Sequence, residues 1–222
     1  MTSNRPDPDA GAADRAQTFV DWTRVNSTAL TAGAAILVVA AAVFWFYGRS
    51  RDIAAGNAEK ALMTAKQSMA AGNLPLAQTD LQTVYARYGS TSAGVEAAMI
   101  LAQLDYDSGK YQDGVTLLQK ASSSSAASPV TSTLRSLEGD GYGQMGKLQD
   151  AAKQYDAAAA ATSYQDDRAY QRAKAARAYQ AAGDTAKARQ IWSDMLKDPT
   201  ASSMAPEARV RLGELTVRPA KP

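Results

Sequence analysis

The chain has 222 residues, carries 24 Lys and Arg against 22 Asp and Glu for a net charge of +2, and contains neither Cys nor His. That balance is too even for a nucleic-acid binder that works through a strongly basic field. The missing residue types exclude disulfides, thiol catalysis, His-based triads and the usual zinc and haem ligand sets, and leave only carboxylates, Lys and Ser/Lys arrangements as catalytic toolkits.

Composition rich in Ala and Gln, with 3 Phe and 8 Pro, predicts an all-α chain. Residues 1–11 are polar with two prolines and predict a tail without the apolar content for a core. Residues 12–24 predict a juxtamembrane helix, with Ala12, Ala16, Phe19, Val20 and Thr23 on one face. Trp22 stands where an amphipathic ring prefers a membrane–water interface. Residues 25–48 hold no charge and predict a single transmembrane helix. At 1.5 Å per residue the run spans ~36 Å, against a hydrocarbon core of ~30 Å. Phe44, Trp45, Phe46 and Tyr47 form an aromatic belt at its far end, closed by Arg49 and Arg51. Gly33 and Ala40 belong to a smooth flank that would let a second helix approach closely.

Residues 49–222 repeat. Gly72, Gly109, Gly146 and Gly183 each open a turn, and the three intervals between them are 37 residues each. A fixed period in this range is the mark of stacked supersecondary units. Seven residues before each glycine stands a small residue: Ala65, Ala102, Gly139 and Ala176. Nine after it stands a large one: Leu81, Leu118, Tyr155 and Trp192. Each unit therefore predicts a helix–turn–helix hairpin. The glycine ends the first helix in a left-handed cap, the small residue lets the two helices cross closely, and the large one fills the gap to the next unit. Pro75 suits the first turn of a second helix. A last helix over 206–217 predicts a solvated cap on the stack.

This order of small residue, Tyr, Gly, Ala and large aromatic resembles the tetratricopeptide repeat. Tyr142 and Tyr179 hold the family's tyrosine position, while Ser68 and Asp105 replace it and Gly114 replaces the alanine. The resemblance implies an all-α, right-handed solenoid of helical hairpins that binds protein segments on its concave face. The layout as a whole, from AADRAQTFVDW through the aromatic exit to GNAEKALMTAKQ, is similar to the ancillary subunit family of the bacterial SecYEG translocon. That resemblance implies a bacterial inner-membrane protein with a cytoplasmic N-terminus and a periplasmic repeat domain. The arginines flanking the apolar run would by themselves favour the opposite orientation, and the layout is preferred to them.

Other motifs carry no chemistry in this setting. Gly141-Tyr-Gly143-Gln-Met-Gly146 matches G-x-G-x-x-G, but the dinucleotide fingerprint needs a preceding strand and a helix that starts there. Here the run closes a helix, and its interior glycines mark the third unit as a bend point. Arg168 and Arg172, after Asp166 and Asp167, read as a solvated helix face, and residues 122–125 read as a flexible serine loop.

The concave face implied by the resemblance is lined by the first helix of each hairpin. Counting back ten, six and three residues from the turn glycines selects Leu62, Lys66, Met99, Gln103, Tyr106, Asp140 and Arg177 as the protein-binding groove. Lys and Asn placed to clamp a terminal carboxylate are missing. A mixture of Met, Tyr and scattered charges suits an extended or helical protein segment. The sequence thus predicts a non-enzymatic, membrane-anchored adaptor without cofactor, nucleic acid or small-molecule substrate. Its partners would be client polypeptides or a membrane complex such as the Sec translocon, with the bilayer contacted through one helix. The alternative is a permanent accessory subunit of a respiratory or photosynthetic assembly.

Overall fold

The computed structural model describes residues 27–217. The expected tail, the juxtamembrane helix and Trp22 lie outside the described residues. Among the described residues the regular structure is entirely helical.

The first helix, α1, runs from Ser27 to Ala70 over 44 residues. It continues straight through Gly48 and Arg49, because no proline or capping residue interrupts it and an interior glycine costs only ~1 kcal/mol relative to Ala. The chain divides after Ile53 into two compact units, so the boundary falls inside α1, beyond the end of the uncharged run. Within the first unit Phe44, Trp45, Phe46 and Tyr47 are all exposed, as are Gly33 and Ala40. A side chain at Gly33 would meet nothing within 4 Å. The helical segment Thr31–Ala70 contains an 18-residue window with a mean hydropathy of 1.9, which makes α1 long and apolar enough to cross a membrane.

The second unit is a stack of hairpins. Residues 54–70 of α1 pair with α2 (Leu74–Tyr88). Then follow α3 (Ser92–Asp107) with α4 (Tyr111–Ser122), α5 (Thr131–Gln144) with α6 (Leu148–Ala161), and α7 (Gln165–Ala181) with α8 (Thr185–Lys197). Short 3₁₀ turns at Ser125–Val130 and Pro199–Met204 enter the third hairpin and the last helix, α9 (Ala205–Val217).

All four turn glycines adopt the left-handed conformation, with φ of 76°, 75°, 72° and 86°. Only glycine does this without a Cβ penalty. The backbone then closes as the expected cap: Asn73 N–H donates to Ser68 O at 3.0 Å and Gly72 N–H to Met69 O at 2.9 Å. The same pair recurs in each repeat, as Lys110 to Asp105, Lys147 to Tyr142 and Asp184 to Tyr179. Asn73 and Asp184 also cap the helix that follows, accepting from Leu76 N–H at 3.3 Å and Lys187 N–H at 3.0 Å.

The two predicted rows are buried throughout. Ala65, Ala102 and Ala176 have no exposed surface, and Gly139 is buried with them. Leu81, Leu118 and Trp192 are fully buried and Tyr155 is 8% exposed. The core runs through the stack as three clusters, one for each junction between neighbouring repeats. Ala208 and Leu215 of α9 close the last cluster, while Arg209, Val210, Gly213 and Glu214 face outward. That is the expected cap.

Three expectations are corrected. The interior glycines of α5 do not loosen the third repeat. A Cβ at Gly139 would come within 2.5 Å of the Tyr155 ring, and one at Gly141 within 2.5 Å of Val115 Cγ2 and against Tyr106. These glycines are there because tyrosines from other helices press on them. Residues 122–125 are not a slack loop. Ser122 Oγ bonds Leu118 O at 2.9 Å and the fully buried Glu138 at 3.1 Å, and Ser124 caps the 3₁₀ turn. Nor is the Arg168–Arg172 face simply solvated: Arg168 donates to Thr162 O at 3.0 Å and Arg172 pairs with Asp198 at 3.4 Å.

Candidate protein-interaction site

The residues expected to line a groove stand on the first helix of each hairpin in three rows, and the structure sorts them. The row ten residues before the turn glycine is core. Leu62 is 1% exposed, Ser136 8% and Ala173 fully buried, with Met99 half-buried against the second cluster. Leu62 is therefore corrected from a groove residue to a packing residue, since it lies between Ala58, Ala65 and Leu81.

The row three residues before the glycine lies in the junctions. Met69 packs against the first cluster. Tyr106 is half-buried, its ring lying against Gly114 and Gly141, and its hydroxyl donates to Leu137 O at 3.0 Å. It is likewise corrected from groove to packing. This explains why Gly114 stands where the repeat pattern has alanine: a Cβ there would come within 2.5 Å of the Tyr106 ring.

The row six residues before the glycine faces out. Gln103 and Arg177 are exposed, and Lys66 and Asp140 are half-buried. Their charges are tied across the repeats. Lys66 Nζ meets Glu96 at 2.5 Å, joining α1 to α3. Lys174 Nζ donates to Asp140 at 2.7 Å and to Ser136 Oγ at 3.0 Å, joining α7 to α5. Arg177 meets Glu207 at 3.3 Å, joining α7 to α9. Exposed pairs such as Lys66–Glu96 and Arg177–Glu207 are worth about 0–1 kcal/mol each, so the buried rows hold the stack and the ion pairs set the polar pattern of its face.

Asp140 is the hub of that pattern. It accepts from the Tyr155 hydroxyl at 2.7 Å as well as from Lys174, and Lys174 Nζ sits 4.5 Å above the Tyr155 ring and 5.9 Å from that of Tyr170. Burial pushes the Tyr155 phenol well above the usual tyrosine range, and its bond to the Asp140 carboxylate pushes the same way. Burial does the same to Tyr106, assisted by the nearby negative charges of Asp140 and Glu138.

Glu96, Lys174, Tyr170 and Glu207 were absent from the expected groove. One signal for Lys174 was legible. It stands nine residues before its turn glycine, where the other repeats carry Met63, Ile100 and Leu137. A lone cation in an apolar row marks a junction of different chemistry.

The family model of the tetratricopeptide repeat-like domain matches residues 53–174. Among solved structures, the chain is similar to nearly identical TPR-like repeats of a protein described as a kinesin light chain in Podosopora anserina. For its Q17M form the TM-score is 0.50 at 17% identity, over 72% of this chain and 92% of that one. A second structure of those repeats gives 0.49 at 19% identity, over 72% and 93%. No curated protein matches the chain. The repeats are of a kind that serves as a non-catalytic protein-interaction module. With the family model covering more than half its length, the chain belongs to the tetratricopeptide repeat-like domain family.

Proposed function

We propose that this protein is a membrane-anchored scaffold. The apolar part of α1 spans the bacterial inner membrane with the N-terminus in the cytoplasm. The repeats stand in the periplasm and hold protein segments along the face of their first helices, at a membrane complex of the Sec-translocon kind. The observation that carries the reading is the outward row Lys66, Gln103, Asp140 and Arg177, an ordered polar pattern shared by four successive repeats. The exposed apolar surface of α1 on the same chain supports the anchor.

Purification of the full chain in mild detergent, with identification of what co-purifies, tests this reading. A changing set of polypeptides marks an adaptor, and a single stoichiometric, salt-resistant partner marks a permanent subunit instead. Reversing the row with Lys66→Glu and Arg177→Glu together should weaken retention by roughly 10-fold, the equivalent of ~1.4 kcal/mol. Undiminished retention by a folded double variant removes this face from the contact. Protease added to spheroplasts should digest the repeats from outside; digestion only after lysis reverses the orientation.

A further inference from the structure

One carboxylate at the junctions between repeats lacks a cation in contact with it. Glu96, Asp140, Asp156 and Glu207 each meet a Lys or Arg of another helix. Asp105 of α3 is half-buried, and among the described residues its carboxylate takes no hydrogen bond and joins no ion pair. Burial pushes its carboxyl above the usual carboxylate range, while Lys110 pulls it down and Asp113 pushes it up. The two nearby charges are of opposite sign, so the carboxylate stands partly out of water with its burial uncompensated.

Asp105 borders an open cleft of about 230 Å³, whose other walls are Gln78, Gln82 and Tyr85 of α2, Leu101 of α3 and Leu117 of α4. Gln78, Gln82 and Tyr85 are four and three residues apart, so they form one stripe of α2. At the two later junctions, the residue in the place of Asp105 bonds the residue in the place of Gln82. Tyr142 Oη accepts from Gln119 at 3.0 Å, and Tyr179 Oη donates to Asp156 at 2.8 Å. Asp105 and Gln82 make no such bond, and among the described residues the side chains of Gln78, Gln82 and Tyr85 have no hydrogen-bond partner. Tyr85 stands where the later junctions carry Ser122 and Ala159, so this cleft has walls of its own.

We propose that this cleft receives an arginine side chain of a bound protein. Charge complementarity selects the sign, because among the described residues that line it Asp105 alone is charged. The remaining walls select a guanidinium over an ammonium. Arginine presents its N–H donors in a planar fork, which can meet the carboxylate and the amide oxygens of Gln78 and Gln82 together, whereas an ammonium concentrates its donors at one point. The guanidinium is also weakly hydrated and stacks on aromatic rings, which suits walls made of Tyr85, Leu101 and Leu117. Two residues along an α-helix turn it by ~200°, so Asp105 lies on the side of α3 away from Gln103. The cleft is thus a second contact surface, apart from the outward row. It rests on the scaffold reading only for the source of the arginine, and its chemistry can be tested without any partner.

The test is a titration of the full chain in nonionic detergent micelles with N-acetyl-argininamide, read on the methyl resonances of Leu101 and Leu117. N-acetyl-citrullinamide keeps the shape without the charge, and N-acetyl-lysinamide keeps the charge without the planar fork. The arginine amide should shift both leucines saturably, at concentrations at least ~10-fold below either control. Asp105→Asn should weaken the response by at least ~10-fold and leave the melting temperature unchanged or higher, since the burial cost of the carboxylate is gone. If that variant does not melt cooperatively, Gln82→Lys takes its place, because Gln82 is exposed and a lysine there would pair with Asp105 itself. No saturable shift, an equal response to either control, or a response undiminished in a folded variant would each overturn the arginine site. None of these outcomes touches the retention experiment above, and a failure there leaves the titration result standing.

Discussion

The first two repeats and the last two solve the same packing problem with different side chains. The first cluster is aliphatic, with Leu62, Leu81, Val84 and Leu101 interdigitating around Ala58, Ala65, Ala93 and Ala97. The last is a sheath of alanines at 152, 169, 173, 175, 176 and 188 around a few large residues, Tyr155, Tyr179, Trp192 and Met195. Aliphatic filling makes no further demand. Rings with hydroxyls need partners when buried, and the second half supplies them: Tyr155 donates to Asp140, which Lys174 also holds, and Tyr179 donates to Asp156 at 2.8 Å and accepts from Lys187 at 2.6 Å. The contrast teaches that the polar groups around Asp140 and Asp156 answer to how the core of the second half is filled. It also implies that the second half depends on few, large contacts.

The largest expected effect comes from removing the biggest of them. Trp192→Ala should cost ~3–5 kcal/mol in denaturant unfolding, since alanines cannot close over the cavity. Trp192→Phe should recover most of that loss, because Trp192 Nε1 has no acceptor to lose. Leu81→Ala in the first repeat should cost less than Trp192→Ala, and equal losses would dissolve the contrast between the halves.

Overpacking sharpens the same comparison. Ala176→Leu should destabilise by roughly 1–3 kcal/mol, where α7 has no space beside its own hairpin. The same change at the exposed Ala160 should stay within about 0.5 kcal/mol. Matching thermal shifts for the two variants would show that the alanine sheath is not tightly closed.

Smaller still is the wiring. Tyr155→Phe should lose about 0.5–1.5 kcal/mol, because Asp140 keeps Lys174 when the phenol is gone. A loss beyond ~3 kcal/mol would make the hydroxyl, and not the ring, the element that holds the junction.

The gentlest perturbation is pH. The Tyr106 and Tyr155 phenols titrate well above the usual range when folded, while in the unfolded chain they ionise near pH ~10. Their contribution to stability is therefore complete below pH ~10 and declines as the pH rises above it, where the unfolded state releases protons that the folded state keeps. Tyrosinate absorbance of the folded chain should lack these two residues until the repeats unfold. Their appearance near pH ~10 in the folded chain would mean that water reaches both junctions.

The reading of the sequence held where the requirement is local and failed where it is not. Gly72, Gly109, Gly146 and Gly183 could be recognised because a left-handed cap is a property of one residue's backbone. The small and large rows followed from their spacing to those caps. Leu62 and Tyr106 were misplaced because counting residues sets a position along a helix without saying how far neighbouring hairpins cover it. Gly139 and Gly141 read as weak points because the rings that require them, Tyr155 and Tyr106, come from other helices.

By itself, then, the sequence determined the helical class, the 37-residue period, the turns, the cap and an apolar helix long enough to cross a membrane. Each depends on local backbone preference or on the burial of a periodic apolar face. Only the tertiary structure decided which of the groove residues look outward, that Asp140 is shared by Lys174 and Tyr155, and that Asp105 borders an open cleft between the first two repeats. Those outcomes depend on how closely one hairpin settles on another. That distance is set jointly by side chains far apart in the chain, so no window of the sequence contains it.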